Sequence, residues 1–238
     1  MRKWFAAARF IGICIFISAY LIVVGIPVLT YCRLIQKPNL ALRLTKLLDR
    51  IVLFFAGVSI TIEGSEKVPA SGCVYVGNHR SLVDSAAVFI GLPGDLRFLG
   101  KKELFRIPLV SYAFRTMGVI EVDRTNSEAA ARSIDRAVGV LRDGKSFVLF
   151  PEGTRTRTGE LLPFKKGAFV LAIKAQVPVL PFTLFGTAES LQPDKPFLYA
   201  GNVRIVIHDP IPTAGMDLEQ RNIVLEKARK VIENSLTL

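Results

Sequence analysis

From about residue 58 onward, short apolar runs alternate with stretches in which apolar positions recur every three or four residues. The runs 58–64 (VSITIEG), 72–77 (GCVYVG), 96–100 (LRFLG), 118–122 (GVIEV), 146–150 (SFVLF), 178–185 (PVLPFTLF) and 202–208 (NVRIVIH) read as strands. Helical periodicity falls near 81–91, 103–116, 126–142, 164–175 and 217–236. Strands that alternate with helices predict an α/β fold: a mixed, mostly parallel sheet flanked by helices on both faces.

The first 57 residues follow another pattern. Residues 10–32 (FIGICIFISAYLIVVGIPVLTYC) contain no charged side chain. As a helix this run would be roughly 34 Å long, enough for a hydrocarbon core of about 30 Å. It is too long for the apolar part of a usual signal peptide, and RLIQKPNL after it has no small-x-small cleavage site. A second apolar stretch, ALRLTKLLDRIVLFFAGV, places Leu42, Leu44, Leu47, Leu48, Ile51, Val52 and Phe55 broadly on one helical side. Basic residues flank the first run on both sides, so the charge difference that orients a single span is missing. Two readings remain: a helical pair that dips into one leaflet and returns, or a span followed by a core helix. The expected division is 1–57 as membrane-associated helices and 58–238 as an α/β domain.

Charge sharpens this. Of 31 Lys and Arg and 20 Asp and Glu, residues 1–60 hold eight bases and one acid, Asp49. These bases border an apolar run instead of interleaving with stacking aromatics along a polar face, which favours membrane contact over nucleic acid. The three cysteines, Cys14, Cys32 and Cys73, form no CxxC pair and no metal-ligand spacing, so neither a disulfide nor a metal site is expected.

Two segments lie where a predicted strand gives way to a helix, the place where α/β sheets collect their sites. In NHRSLVD (78–84), His79 and Asp84 would sit about 140° apart on one helix and could not touch. They cooperate only if His79 occupies the turn and Asp84 the first helical turn, with Ser81 as N-cap. A purely structural reading makes Ser81 and Asp84 a capping box, and a lone histidine there a hydrogen-bonded structural residue. The chemical reading is a carboxylate that fixes the imidazole tautomer, making His79 a general base worth about 10²- to 10⁴-fold in rate. The chain contains no GxSxG, so a hydroxyl brought by the substrate is the natural nucleophile.

FPEGTRT (150–156) reads as a turn, yet turn chemistry does not explain the nearby Arg155, Arg157, Lys165 and Lys166. Guanidinium and backbone amides favour a phosphate. Lys101, Lys102 and Arg124 each follow a strand and could join them. GVLRDGKS (139–146) fits GxxxxGK[ST], but a helix precedes it and a strand follows, the reverse of a P-loop; it reads as a helix-ending turn.

NHRSLVD resembles the NHxxxxD box of the glycerolipid acyltransferase family, and FPEGTRT its acceptor-phosphate box. GVIEVDR (118–124) and VPVLPF (177–182) are similar to its other two boxes, in the family's order. The nearest likeness is to small bacterial 1-acylglycerol-3-phosphate acyltransferases. The resemblance implies that His79 deprotonates the acceptor hydroxyl and that Asp84 supports the imidazole. It implies that Lys101, Arg124, Glu152, Gly153, Thr154 and Arg155 shape and bind the glycerophosphate, with Arg155 on the phosphate, and that 177–182 line the acyl-donor side. Glu121 departs from the family's apolar or aromatic residue. The implied reaction transfers a fatty acyl chain from acyl-CoA or acyl-carrier protein, as co-substrate and with no other cofactor, to the sn-2 hydroxyl of lysophosphatidic acid. The implied place is the cytoplasmic (inner) membrane, with the site on its cytoplasmic face. Alternatives are the same chemistry on a lyso-ornithine lipid or another lysophospholipid, or a non-catalytic protein that binds anionic lipid.

Overall fold

The computed structural model describes residues 2–123 and 125–237. Helix α1 (Arg2–Tyr20) runs through a π-helical stretch, Leu21–Gly25, into α2 (Ile26–Leu34). The first apolar run and its flanks are therefore one rod, and Lys3–Leu34, 32 residues, is long and apolar enough to cross a membrane. Pro27, in the first turn of α2, has no N–H for the carbonyl four residues back, and the widened π turn falls just before it.

After a tight turn in which Gln36 has φ 53°, α3 (Pro38–Ala56) folds back along this rod, with the Phe55 ring 6.3 Å from that of Phe16. Helix α3 carries two apolar faces, where the sequence suggested one. Ala41, Leu42, Leu48, Leu53 and Ala56 are buried, whereas Leu47, Phe54 and Phe55 are exposed. The buried face joins the same core as Leu29 and Cys32 of α2 and the sheet residues Tyr75, Leu180 and Ile205. Residues 1–57 thus share a core with the rest of the chain.

The sheet contains β1 (Val58–Glu63), β2 (Val74–Gly77), β3 (Leu96–Lys101), β4 (Ile120–Val122), β5 (Ser146–Leu149), β6 (Val179–Phe185) and β7 (Gly201–Ile207), in the order β1-β7-β6-β2-β5-β3-β4. Only β6 and β7 pair antiparallel among the described residues. Helices α4 (Val83–Gly91) and α5 (Pro108–Thr116) lie with α3 on one face of the sheet. Helices α6 (Ser127–Arg142), α7 (Gly167–Ala175) and α9 (Arg221–Thr237) cover the other, and α8 (Thr187–Ser190) is a single turn after β6. The α/β fold read from the sequence is the observed one, each strand lying within two residues of its apolar run.

Local chemistry sets the boundaries. Asn126 caps α6 by accepting from Ala129 N–H at 3.0 Å. Gly144, with φ 78°, ends the turn after α6, so GVLRDGKS is a helix C-terminus and not a phosphate loop. The central strand β2 is buried on both sides, as neighbours on both edges and helices on both faces require.

The end of β2 is the tightest point. A Cβ on Gly77 would collide with the Phe182 ring, which is wedged against Tyr75 and Phe150. Gly77→Ala is expected to lower stability by about 1–3 kcal/mol. A thermal melt in detergent checks this, and an unchanged midpoint would mean that Phe182 moves freely.

Candidate functional site

His79 follows β2 at its carboxyl end, and Asn78 holds it at that level. The Asn78 side chain continues the β2–β6 pairing past Gly77: its Oδ1 accepts from Leu184 N–H at 2.7 Å and its Nδ2 donates to Leu184 C=O at 3.0 Å. The His79 backbone is fixed on both sides. Its N–H donates to Glu152 Oε1 at 2.6 Å, and its C=O accepts from Thr156 N–H at 2.9 Å.

Helix α4 begins at Val83, which puts Asp84 in its first turn and His79 in the preceding loop, the one arrangement that lets the pair meet. Asp84 Oδ2 accepts from His79 Nδ1 at 2.7 Å, from Arg80 N–H at 2.6 Å and from Ser81 N–H at 2.8 Å. Asp84 therefore satisfies backbone donors and holds the imidazole at once, but the capping box does not form. Ser81, expected as the N-cap, has another task. Its hydroxyl donates to Leu191 C=O at 2.7 Å and accepts from Val83 N–H at 3.1 Å, while Leu82 occupies the cap position.

A carboxylate only accepts, so His79 carries its proton on Nδ1 and presents Nε2 as a base. Nε2 has no hydrogen-bond partner among the described residues, and the ring lines a cavity of about 730 Å³. Phe150 stacks on the ring at 4.2 Å with 11° between planes, which leaves rotation in that plane as its chief freedom. No Ser, Thr or Cys side chain hydrogen-bonds to His79 among the described residues.

The cavity spans the carboxyl ends of β3 and β5. His79, Lys101, Gly153 and Lys165 share its wall, with Phe89, Phe98, Phe114 and Met117 on one side of the sheet and Ala130, Ile134 and Ala168 on the other. Gly153 adopts a φ of 76°, which favours glycine, and a Cβ there would lie 2.9 Å from Nζ at the flexible end of Lys165, which would have to shift. Arg155, two residues beyond Gly153, does not line the cavity; it is half-buried and makes no ion pair among the described residues. Thr154 is exposed beside it.

Other candidates are placed elsewhere. Glu152 is buried with its carboxylate turned inward, Oε2 accepting from Leu162 N–H at 2.9 Å. Burial raises its pKa above the ordinary value, against the opposing pull of the Leu162 and His79 amides. Arg157 pairs with Asp194 at 2.8 Å, and Lys102 with Asp123 at 2.7 Å. Lys166 is exposed ahead of α7. Glu121 lies 3.6 Å from Arg115. Arg124 lies outside the described residues. The 177–182 segment does not line this cavity; Phe182 supports Phe150 from within the core.

Residues 59–184 match the acyltransferase family. The chain belongs to that family. It is 37% identical over 180 residues, 74% of this chain and 51% of the relative, to the chloroplastic 1-acyl-sn-glycerol-3-phosphate acyltransferase BAT2 of Brassica napus. Against the 1-acyl-sn-glycerol-3-phosphate acyltransferase of Borreliella burgdorferi it is 38% identical over 139 residues, 58% of this chain and 56% of that one. The chain thus spans about half the length of the curated relatives it matches. The crystal structure of the 1-acyl-sn-glycerophosphate acyltransferase PlsC from Thermotoga maritima superposes with a TM-score of 0.82 at 25% identity, covering 100% of this chain and 97% of that one. Family membership agrees with the HxxxxD geometry: the matched span contains His79, Asp84, Phe150, Glu152 and Arg155.

Three contributors to this arrangement were not read from the sequence: Asn78, Phe150 and Asp49. The first lay within a quoted motif, and the second ended a predicted strand. Asp49 stood out only as the single acid of the first 60 residues; it is half-buried on α3 and lines the cavity.

Removing the Glu152 carboxylate frees two backbone amides. Glu152→Ala is expected to lower stability by about 1–3 kcal/mol and to reduce turnover through His79. Melting and activity measured together check this, and full activity would mean that the loop holds without it. Burial also pushes Asp49 up from 3.8 to about 7. The folded state then binds a proton that the unfolded state has released, so stability is highest below the unfolded value and falls as pH rises from about 4 to about 7. Asp49→Asn is expected to flatten that part of the pH–stability curve, and melts of both proteins across the range check it.

Proposed function

We propose that this chain transfers a fatty acyl group from a CoA or acyl-carrier-protein thioester to the sn-2 hydroxyl of 1-acylglycerol-3-phosphate at the cytoplasmic membrane. The observation that carries this is the unpartnered Nε2 of His79 on a cavity wall, its Nδ1 held by Asp84, beside Lys101 and Lys165. The acceptor hydroxyl gives its proton to Nε2 as its oxygen attacks the thioester carbonyl. The C–S bond then breaks, the thiolate leaves, and the imidazolium returns a proton to the sulfur. Asp84 stabilises the transient positive charge and keeps the ring oriented. No acyl-enzyme is needed, in keeping with the lack of a protein hydroxyl or thiol on His79 among the described residues.

Lys101, Lys165 and Arg155 would hold the phosphate, while Gly153 lets the chain approach it closely. Glu152 and Thr154 shape the loop, and Arg124 is assigned to the same headgroup by family resemblance alone. The apolar remainder of the cavity suits acyl chains. The Lys3–Leu34 rod and the exposed Leu47, Phe54 and Phe55 of α3 supply an apolar surface next to it, so that a lipid acceptor reaches the site without leaving its bilayer.

His79→Ala in full-length protein in mixed micelles is expected to lower acyl transfer to lysophosphatidic acid by about 10²- to 10⁴-fold with folding intact. Arg155→Ala should raise the KM for the phosphorylated acceptor more than it lowers kcat. Wild-type turnover retained by His79→Ala would refute the assignment. Binding of anionic vesicles with no turnover on any lyso-lipid would favour a non-catalytic lipid-binding protein.

A further inference from the structure

Asp49 has no task in the reaction just described. Its carboxyl makes no hydrogen bond or ion pair among the described residues, although it faces the cavity from a wall otherwise formed on α3 by Leu42 and Thr45. Thr45 is already committed, donating to Ala41 C=O at 3.0 Å. Ser85 of α4 also lines the cavity, so the α3 and α4 walls carry polar groups beside the apolar Phe89 and Met117.

The height of Asp49 follows from the path of α3. Near its start, Asn39 Oδ1 accepts from Arg97 Nη2 at 2.7 Å, and Arg97 stands at the amino end of β3. At its far end, Gly57 C=O accepts from Gly201 N–H at 3.1 Å, and Gly201 begins β7 beyond the carboxyl end of β6. Helix α3 therefore climbs from the amino to the carboxyl edge of the parallel strands. Asp49, roughly ten residues past Asn39, has risen about 15 Å, close to the span of β3. That is the level of Lys101 and His79.

We propose that Asp49 is a specificity-determining residue that recognises the ester linkage of the acceptor's own acyl chain, so that the site takes 1-acyl lysophosphatidate in preference to the 1-alkyl ether. This rests on the function proposed above. With phosphate at the lysines and the sn-2 hydroxyl at His79, the sn-1 linkage is the next group along the glycerol. Its chain must run towards lipid, and the lipid-facing helix on this side of the cavity is α3, through Leu47, Phe54 and Phe55.

An ester carbonyl accepts hydrogen bonds strongly and an ether oxygen weakly, and a carboxylic acid can donate one. Asp49 reaches the acid form near neutral pH because it is buried; Lys46 and Arg50 on its own helix, and His79 and Lys101 across the cavity, do not govern that rise. Against an ether its donor is left unpaired, and a bound substrate that shuts out water makes that costly.

The test compares kcat/KM for 1-oleoyl lysophosphatidate and its 1-O-octadecenyl ether analogue, with one acyl donor, in full-length wild type, Asp49→Asn, Asp49→Leu and Asp49→Ala. The wild type should favour the ester by about tenfold. Asp49→Asn, which keeps a donor, should retain that preference. Asp49→Leu should bring the ratio near one, and Asp49→Ala should do so if the leucine variant fails to fold. Equal use of both acceptors by the wild type would overturn the inference and leave the proposed transferase standing. A wild-type ratio in both Leu and Ala variants, with rates lowered equally on both acceptors, would also overturn it, because Asp49 would then be structural. No transfer to either acceptor would overturn both readings.

Discussion

The hydrogen bond from His79 N–H to Glu152 is the contact through which two halves of the site become one. It joins the loop after β2 to the loop after β5, and the bond from Thr156 N–H to His79 C=O joins them again. These strands are neighbours only because the sheet places β5 directly beside β2, although some 70 residues separate them. A general base must be held to a few tenths of an ångström, and a free loop would lose that precision to its own entropy. Tying the His79 backbone on both sides leaves the ring one chief freedom, rotation, which Asp84 and Phe150 restrict.

Two acids carry this arrangement, and both are buried, which is costly for a carboxylate unless donors surround it. Asp84 collects three donors on Oδ2 and none on its buried Oδ1, and Glu152 spends one oxygen on each loop. Their donors are mostly backbone amides, which cannot rotate away or lose their protons. Such a site favours a defined geometry over maximal stability. The same reasoning explains how Asp84 both holds the loop ahead of α4 and orients the imidazole: the Arg80 and Ser81 amides of that loop are aimed at one oxygen, and His79 shares it.

Much of this was legible in the residues. The strands announced themselves as apolar runs, the central β2, β5 and β6 most clearly because both their faces are covered, and the five-residue spacing of His79 and Asp84 admitted one geometry, which the chain adopts. What the sequence hid depends on direction. Glu152 in a charged turn looks like a ligand, yet its carboxylate points inward, because two unpaired amides meet there. Arg157 looks like part of a phosphate cluster, but it reaches Asp194, 37 positions away, a partner no local pattern reveals. Ser81 looks like an N-cap, but the Leu191 carbonyl takes its hydroxyl. Asn78 pairs with a strand that lies more than 100 residues later. In each case the motif named the residue type and a partner elsewhere in the chain decided where it pointed.

Helix α3 was misread for a related reason. Periodicity collects its apolar residues into one face, but the fold asks for three: one buried against the sheet, one apolar and outward, and one lining the cavity through Leu42, Thr45 and Asp49. A helix in a soluble core has no use for exposed Phe54 and Phe55, and a simple span has no use for a carboxyl among cavity-lining residues. Both features become intelligible together if α3 stands between lipid and active site, with one face meeting acyl chains outside and another meeting the substrate's polar linkages inside. The rod of α1 and α2 packs against it and extends the apolar surface. The wall of the proposed acyl-transfer cavity is thus also the inner surface of the proposed membrane platform, and residues 1–57 share a core with the sheet.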